Sequence, residues 1–373
     1  MSASLNIPKI RVRIASVSQK SGYGMASRNI SKSFLKSDIP AYFDSNDVFF
    51  DKMPKTNEDI KINFYIRPPF MVYEKEDGDY NIGYFYWETD TLPREWSILI
   101  KKRLDEIWVP CEITANACRK AGFQGPIEIV HTPLDFDSDS LDDLDNENQQ
   151  KQSIESVYIF YSIFQWHDRK GYDKLFQAYY EEFDSSEDVL LFVKTSPVRH
   201  KEHGIYKIEK DLEDMSELYA KDNMPKVYVI KNPVPESSIN EIHNIGDCFV
   251  LPHRGEGWGM PIHEAISEGN LVITTKFGGI TEKLNDSNSM IVDSERSTVT
   301  PMNWSRWYQD HQEWAEPSVT HLRKLMRQAY SEGKNGYPSK RSEAKKLGRS
   351  MNIESFAESA KKILLKERFK NMI

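Results

Sequence analysis

The chain has 373 residues, 39% hydrophobic and 12% aromatic, which is enough apolar material for about two ordinary domains and excludes a chain disordered throughout. Lys and Arg number 49 against 57 Asp and Glu, a net charge of -8, so overall charge draws the protein neither to nucleic acid nor to anionic lipid, and no nucleic-acid partner is expected. Cys111, Cys118 and Cys248 lack C-x-x-C spacing, which argues against a disulfide framework or a zinc site and for small buried hydrophobes in a reducing compartment.

The start, MSASLNIPKIRVRIASV, alternates apolar and polar residues, so a strand rather than a signal peptide is expected. No window approaches the roughly 20 apolar residues of a spanning helix. The expectation is a cytoplasmic protein with at most peripheral membrane contact. Next, 10–17 reads as a strand, 21–24 (SGYG) as a glycine-containing turn, and 25–35 as a helix with Met25, Ile30 and Phe34 on one face. Apolar runs at 61–66, 80–87, 106–110 and 127–132 read as strands, with a helix at 113–123. Residues 135–156 are acidic and nearly free of large apolar side chains, the composition of a linker.

Beyond it the plan repeats. Strands are predicted at 157–164, 188–195, 226–230, 247–252 and 271–275, and helices at 171–183, 237–245 and 261–269. From Trp314 onward the charged tail reads as helical. The last segment, 353–369, carries an apolar stripe at Phe356, Ala360, Ile363 and Leu364 that needs a surface to pack on. Strand–helix repetition on both sides of a linker predicts an α/β protein of two facing doubly wound, Rossmann-like domains with a cleft between them. The expected spans are 1–150 and 151–352, the final helix at about 353–373 packing back on the first domain.

The most informative stretch is HRGEGWGMPIHEAISEGNLVITT (253–275). A buried strand ends at Leu251-Pro252. Glycines flank Trp258 and let the backbone turn tightly. Pro261 suits a first helical turn and Gly269 a helix stop. A strand, a glycine-rich turn and a helix N-terminus together make an anion site. Glu256 and Glu264 are poor phosphate ligands but good acceptors for sugar and ribose hydroxyls. Two glutamates eight apart mean little in an acidic chain; the whole constellation E-G-W-G-M-P-x-x-E-A is what carries information.

That stretch resembles the E-x7-E signature of the retaining glycosyltransferases of family 4, which have the GT-B fold. Similar likeness is found in HDRKGYDKLFQAY (167–179), DEIWVPCEITANACRKAGF (105–123) with IEIVHTPLD (127–135), SGYGMASRNI (21–30) and WAEPSV (314–319). The resemblance implies a metal-independent, retaining hexosyltransferase that takes sugar from a UDP- or GDP-linked donor, without a further cofactor, to a hydroxyl of an acceptor, a glycan or lipid-linked glycan above all. It implies Glu264 on the ribose and Glu256 on the donor sugar. Lys170 would bind the diphosphate, and the amides of Gly257, Trp258, Gly259 and Met260 would hold sugar and diphosphate. Arg169 is ambiguous, with one of the Arg169–Lys170 pair expected to face solvent. Val234, in 231–238, would touch the nucleobase.

The chain departs from the pattern twice. Phe164 occupies the usual place of a second diphosphate-binding arginine. Where a histidine is usual near the sugar, the chain reads YFYWETD, and Glu88 is the candidate to line the sugar site. Gly22 and Gly24 would let the first loop approach donor or acceptor. Asp137-x-Asp139 resembles a metal-binding D-x-D but sits in the linker rather than after a buried strand. Acceptor contacts are expected from 45–60 and 66–80. Lys101-Lys102-Arg103 and the final helix are candidates for membrane contact, or simply solvated helix faces. Three alternatives stay open: a sugar-nucleotide epimerase in the same fold, a non-catalytic sugar-nucleotide binder, and an NAD-type oxidoreductase in which Asp44 follows Gly22-x-Gly24.

Overall fold

The computed structural model describes residues 7–14, 22–43, 61–75, 79–136, 156–198, 202–302 and 304–372. The chain divides into two compact units. The first joins Met1–Phe136 with Trp307–Gln312 and Ser350–Ile373; the second joins Asp137–Arg306 with Glu313–Arg349.

In the first unit, β1 (Ile10–Ile14) leads to α1 (Gly22–Lys36), β2 (Ala41–Phe43) and β3 (Ile62–Ile66). Then come β4 (Tyr80–Tyr84), α2 (Arg94–Arg103), β5 (Glu106–Val109), α3 (Glu112–Lys120) and β6 (Ile127–Ile129). The six strands form one parallel sheet in the order β2-β1-β3-β4-β5-β6. Ile10, Val12, Phe64 and Tyr84 are buried in its core with Ile30 and Phe34 of α1.

The second unit runs β7 (Tyr158–Trp166), α4 (Tyr172–Glu182), β8 (Val189–Pro197), α5 (Glu202–Leu218), β9 (Lys226–Ile230) and α6 (Glu236–Ile245). It continues with β10 (Cys248–Leu251), α7 (Met260–Glu268), β11 (Leu271–Thr275) and β12 (Met290–Val292). Its sheet is parallel throughout, in the order β12-β11-β10-β7-β8-β9. The order reverses between β7 and β10, so the crevice beyond their carboxyl ends is where such sheets bind ligands. Continuous apolar runs such as Cys248–Leu251 and Leu271–Thr275 are buried on both faces, as central parallel strands must be.

A hairpin of β13 (Ser294–Thr298) and β14 (Glu313–Pro317) follows, then α8 (Val319–Glu332), α9 (Pro338–Ser350) and α10 (Ile353–Leu364). The hairpin corrects the expectation of a helical tail from Trp314. Glu313–Pro317 pairs antiparallel with Ser294–Thr298, and the helix begins only at Val319, after Pro317, where the Ser318 side chain accepts from the His321 N–H. Helix α10 starts with a reciprocal Asn352–Ser355 capping box. Its stripe of Phe356, Ala360, Ile363 and Leu364 joins the first unit's core, with the Phe356 ring edge-on to Phe34 at 5.9 Å. Trp307–Gln312 belongs to the first unit, which corrects the expected second-domain span of 151–352: Trp307 stacks on Phe70 at 5.0 Å and Tyr308 on Trp87 at 5.5 Å.

All three cysteines are buried, and none forms a disulfide. Among the described residues, no helix is long and apolar enough to cross a membrane. The basic triplet Lys101-Lys102-Arg103 is the last turn of α2, where cations complement the helix dipole. Lys102 pairs with Glu74 at 2.9 Å, and Arg103 donates to the Val72 carbonyl at 2.8 Å.

Candidate functional site

Two chain segments meet beyond the carboxyl ends of β7 and β10. After Trp166 the chain makes a 3-10 turn, Asp168–Lys170, and reaches α4 through Gly171, whose φ is 67°. After Leu251 it runs through Pro252–Gly259 into α7, whose N-cap Gly259 has φ 86° and no side-chain cap. Gly171 makes the meeting possible: a Cβ there would lie 1.9 Å from the Pro252 carbonyl oxygen. The Arg254 N–H donates to the Arg169 carbonyl at 2.7 Å and locks the two segments together.

The contact places Lys170 and Arg169 on Glu256. The Lys170 ammonium donates to a Glu256 carboxylate oxygen, and Arg169 stands 3.4 Å from the same oxygen while donating to the Gly255 carbonyl. All three side chains are buried, which corrects the expectation that one of the two cations faces solvent. The 3-10 turn is tight enough to turn consecutive side chains toward the same glycine-rich segment. Burial pushes the Glu256 carboxyl up, but the attraction of Lys170, Arg169 and His253 with the Lys170 hydrogen bond outweighs it and brings the group down to about 2. Glu256 is therefore an anion and an acceptor at any ordinary pH.

Every residue from Leu251 to Met260 is buried, so the turn is not the open cradle its sequence suggests. It is tied to the segment after β11, with Glu256 N–H donating to the Phe277 carbonyl at 3.2 Å and Ile280 N–H to the Trp258 carbonyl at 2.8 Å. The Trp258 indole N–H donates to His263 at 3.1 Å, and the other His263 nitrogen reaches the Gly348 carbonyl at 2.9 Å. The Trp258 side chain is thus an anchor for the turn. Two buried polar atoms nonetheless make no hydrogen bond, Nδ1 of His167 and Oγ1 of Thr275. Unsatisfied polar atoms in a buried, charged region suit a polar ligand better than a finished core.

His253 escaped the sequence reading. A histidine directly after a buried strand and three residues before Glu256 was the available signal. Burial lowers its imidazole to about 3, with Glu256 and the Thr275 backbone opposing and Lys170 and Arg169 adding, so the ring is neutral. Burial, then Arg169 and Lys170, push His167 down as well, and its ring lies 5.0 Å from that of Trp304. Arg254 also escaped; it forks onto Asp173 at 2.7 and 2.9 Å and onto Glu316 at 2.6 and 2.9 Å, fastening α4 and β14 to the site.

These groups fix the acid response. Glu256 has a folded value of about 2 against 4.5, so its stabilisation is complete above 4.5 and lost as pH falls toward 2. His253 has a folded value of about 3 against 6.5, so stability is lost as pH falls from 6.5 toward 3. Thermal midpoints recorded from pH 7 down to pH 3 are expected to fall steadily, and less steeply in His253→Asn. Parallel curves for the two proteins would remove His253 from this account.

Glu264 lies on α7, partly exposed, with one oxygen 3.5 Å from Nε2 of buried His243, whose other nitrogen meets the Tyr161 hydroxyl at 2.9 Å. Val234 is half-buried between β9 and α6. Phe164 is buried on β7. The remaining candidates stand in the first unit. Gly22 opens helix α1 rather than a loop, and a Cβ there would meet nothing within 4 Å, while Gly24 is buried within the first turn. Tyr23 between them meets Tyr86 edge-on at 4.9 Å, and half-buried Glu88 follows two residues later, accepting from the Tyr308 hydroxyl at 3.3 Å. Asp44, all of 45–60, and Asp137-x-Asp139 lie outside the described residues.

Residues 144–300 match the family model described as Glycosyl transferases group 1. The matched span contains the whole Lys170–Glu256–Glu264 arrangement. No curated protein matches the chain by sequence. Solved structures match it in fold. The Anabaena protein HepE in complex with UDP and glucose superposes with a TM-score of 0.66 at 12% identity, over 96% of this chain and 99% of that one. The trehalose-6-phosphate synthase OtsA gives 0.67 at 11% identity, over 96% and 98%. A trehalose-6-phosphate synthase studied with bisubstrate glycomimetics for glycosyltransfer with retention gives 0.59 at 12% identity, over 81% and 73%. At such identities the likeness establishes the fold, two Rossmann-like parallel sheets of the GT-B type.

Proposed function

We propose that the protein is a retaining, metal-independent glycosyltransferase of the family 4 type that moves a hexose-type sugar from a UDP- or GDP-linked donor to a hydroxyl of a glycan or lipid-linked acceptor. The observation that carries this reading is the buried Lys170–Arg169–Glu256 group at the switch point of the second sheet, inside the span matched by the glycosyltransferase model. Lys170 and Arg169 carry two positive charges against one on Glu256, and the uncapped N-terminus of α7 adds the positive end of its dipole. That surplus suits a diphosphate and supplies charge that a metal ion otherwise brings. Glu256, held ionised, accepts from sugar hydroxyls. Glu264 has acceptor capacity left for ribose hydroxyls, and Val234 lies against the base.

Chemistry follows from where charge grows. As the sugar–oxygen bond breaks, negative charge collects on the leaving diphosphate, where Lys170, Arg169 and the amides of Gly257 to Met260 stabilise it. The acceptor hydroxyl attacks from the face the diphosphate leaves, and the departing phosphate oxygen takes its proton, so configuration is kept. The trehalose-6-phosphate synthase similarity supports retention. Glu88, Gly22 and Gly24 are assigned to the sugar and acceptor side, and the protein to the cytoplasm.

A thermal-shift titration with UDP, GDP and their hexose conjugates tests the reading, since binding to the folded state raises the midpoint by mass action. A rise with one nucleotide series is expected. Glu264→Ala should weaken that nucleotide by roughly tenfold, the size of a lost charged hydrogen bond. No response to any of them would remove the donor assignment.

A further inference from the structure

We propose that Lys194, on β8, is a phosphate-binding residue of the donor site, its ammonium taking the phosphate that carries the nucleoside. The assignment rests on the nucleotide-sugar reading above and adds a residue that reading does not use.

Lys194 is 7% exposed, and its ammonium makes one hydrogen bond, to the Thr195 carbonyl at 2.9 Å. No carboxylate pairs with it among the described residues. Its neighbours in kind are treated otherwise: Arg169 and Lys170 have Glu256, and Arg254 has Asp173 and Glu316. An ammonium has three N–H groups, so two remain to be used. Burial alone lowers the pKa of this group from its ordinary 10.5. A buried cation without a counter-ion is costly in a finished core, where methionine fills the same volume. It is the expected state of a group whose counter-ion arrives with a ligand.

Its place in the sheet selects the ligand. In the ladder, Lys194 stands opposite Ile163 of β7 on one side and Ile230 of β9 on the other. Strand β7 leads to Lys170, assigned to the diphosphate. Strand β9 leads to Val234, assigned to the base. Strand alternation puts Lys194 on the face of Phe192, whose ladder partner is Tyr161. The Tyr161 hydroxyl bonds to His243, the neighbour of Glu264. Lys194 thus lies toward the carboxyl end of the strands, on the ribose side, between the base segment and the diphosphate segment. The anionic part of a nucleotide that falls there is the phosphate bonded to ribose.

Isothermal titration of the full-length protein tests this with UDP and GDP, their monophosphates, and uridine and guanosine. In Lys194→Met, affinity for the preferred diphosphate and its monophosphate is expected to fall by about tenfold or more. Affinity for the nucleoside should not change, and Lys194→Arg should recover part of the loss. The ligand-free thermal midpoint of Lys194→Met should stay level or rise. Unchanged monophosphate affinity overturns the assignment. So does an equal loss for the nucleoside, which would mean a base contact, or a lower ligand-free midpoint, which would mean a structural brace. A wild-type protein that binds none of these compounds overturns the donor reading itself, and Lys194 with it.

Discussion

Replacing Lys170 with alanine is expected to lower turnover by two to three orders of magnitude, about 3 kcal/mol of transition-state stabilisation. Lys170 is a buried ammonium within hydrogen-bond reach of Glu256, and Glu256 is held ionised near 2 by it and by Arg169. Removing it takes positive charge from the place where the leaving diphosphate becomes most negative. It also strips Glu256 of its closest partner, and breaking a buried pair costs up to about 3–5 kcal/mol. Arg169 remains 3.4 Å from the carboxylate, so the loss should fall short of that and the variant should still unfold in one cooperative transition. Nucleoside diphosphate release, measured at saturating donor, separates the two effects. Normal turnover in a folded Lys170→Ala protein would sink the assignment.

Gly171→Ala is expected to be the most damaging single substitution outside the charged groups. Two costs coincide there. The residue has φ 67°, where an ordinary side chain is strained by roughly 1–2 kcal/mol. Its Cβ would also come within 1.9 Å of the Pro252 carbonyl oxygen, a backbone atom that cannot rotate away. The segments carrying Lys170 and Glu256 would have to part. The thermal midpoint should fall by the equivalent of about 3 kcal/mol or more, and donor binding should be lost with it. Gly122→Ala is the control: its φ is 80°, but the nearest atom to a new Cβ is the end of the Lys101 side chain at 3.9 Å. It should show the backbone strain alone. Equal effects at the two positions would mean that the close approach at Pro252 is unimportant.

The sheets were legible because their strands are apolar runs separated by helical spacing, a pattern set by burial on both faces. The turn from Glu256 to Pro261 was legible because glycine and proline positions constrain backbone conformation directly. The β13–β14 hairpin was not. Ser294–Thr298 is polar and mostly exposed, so it lacks the alternation that marks a strand, and only its pairing with Glu313–Pro317 defines it. Helices α2 and α5 are rich in charge and easily read as surface loops. The burial of Arg169 was hidden for a different reason. Adjacent Arg and Lys usually diverge, and nothing in their identity tells that a 3-10 turn folds both inward. Lys194 had no signature at all: a lysine near the end of VLLFVKTS looks like the point where a strand meets water. The lowered basicity of His253 likewise depends on what surrounds the ring, which the sequence does not state.

The path of the chain between its two units bears on how the protein is made. Residues up to Phe136 leave the ribosome well before α10, and the hydrophobic face formed by Phe34, Phe64 and Tyr84 receives Phe356, Ile363 and Leu364 only when α10 has been synthesised. During elongation, α1 and its sheet must wait with that face uncovered while more than half of the polypeptide is added. A fragment ending at the linker would inherit the same exposed surface permanently, so chaperone dependence and insolubility of N-terminal fragments follow from the position of one late helix.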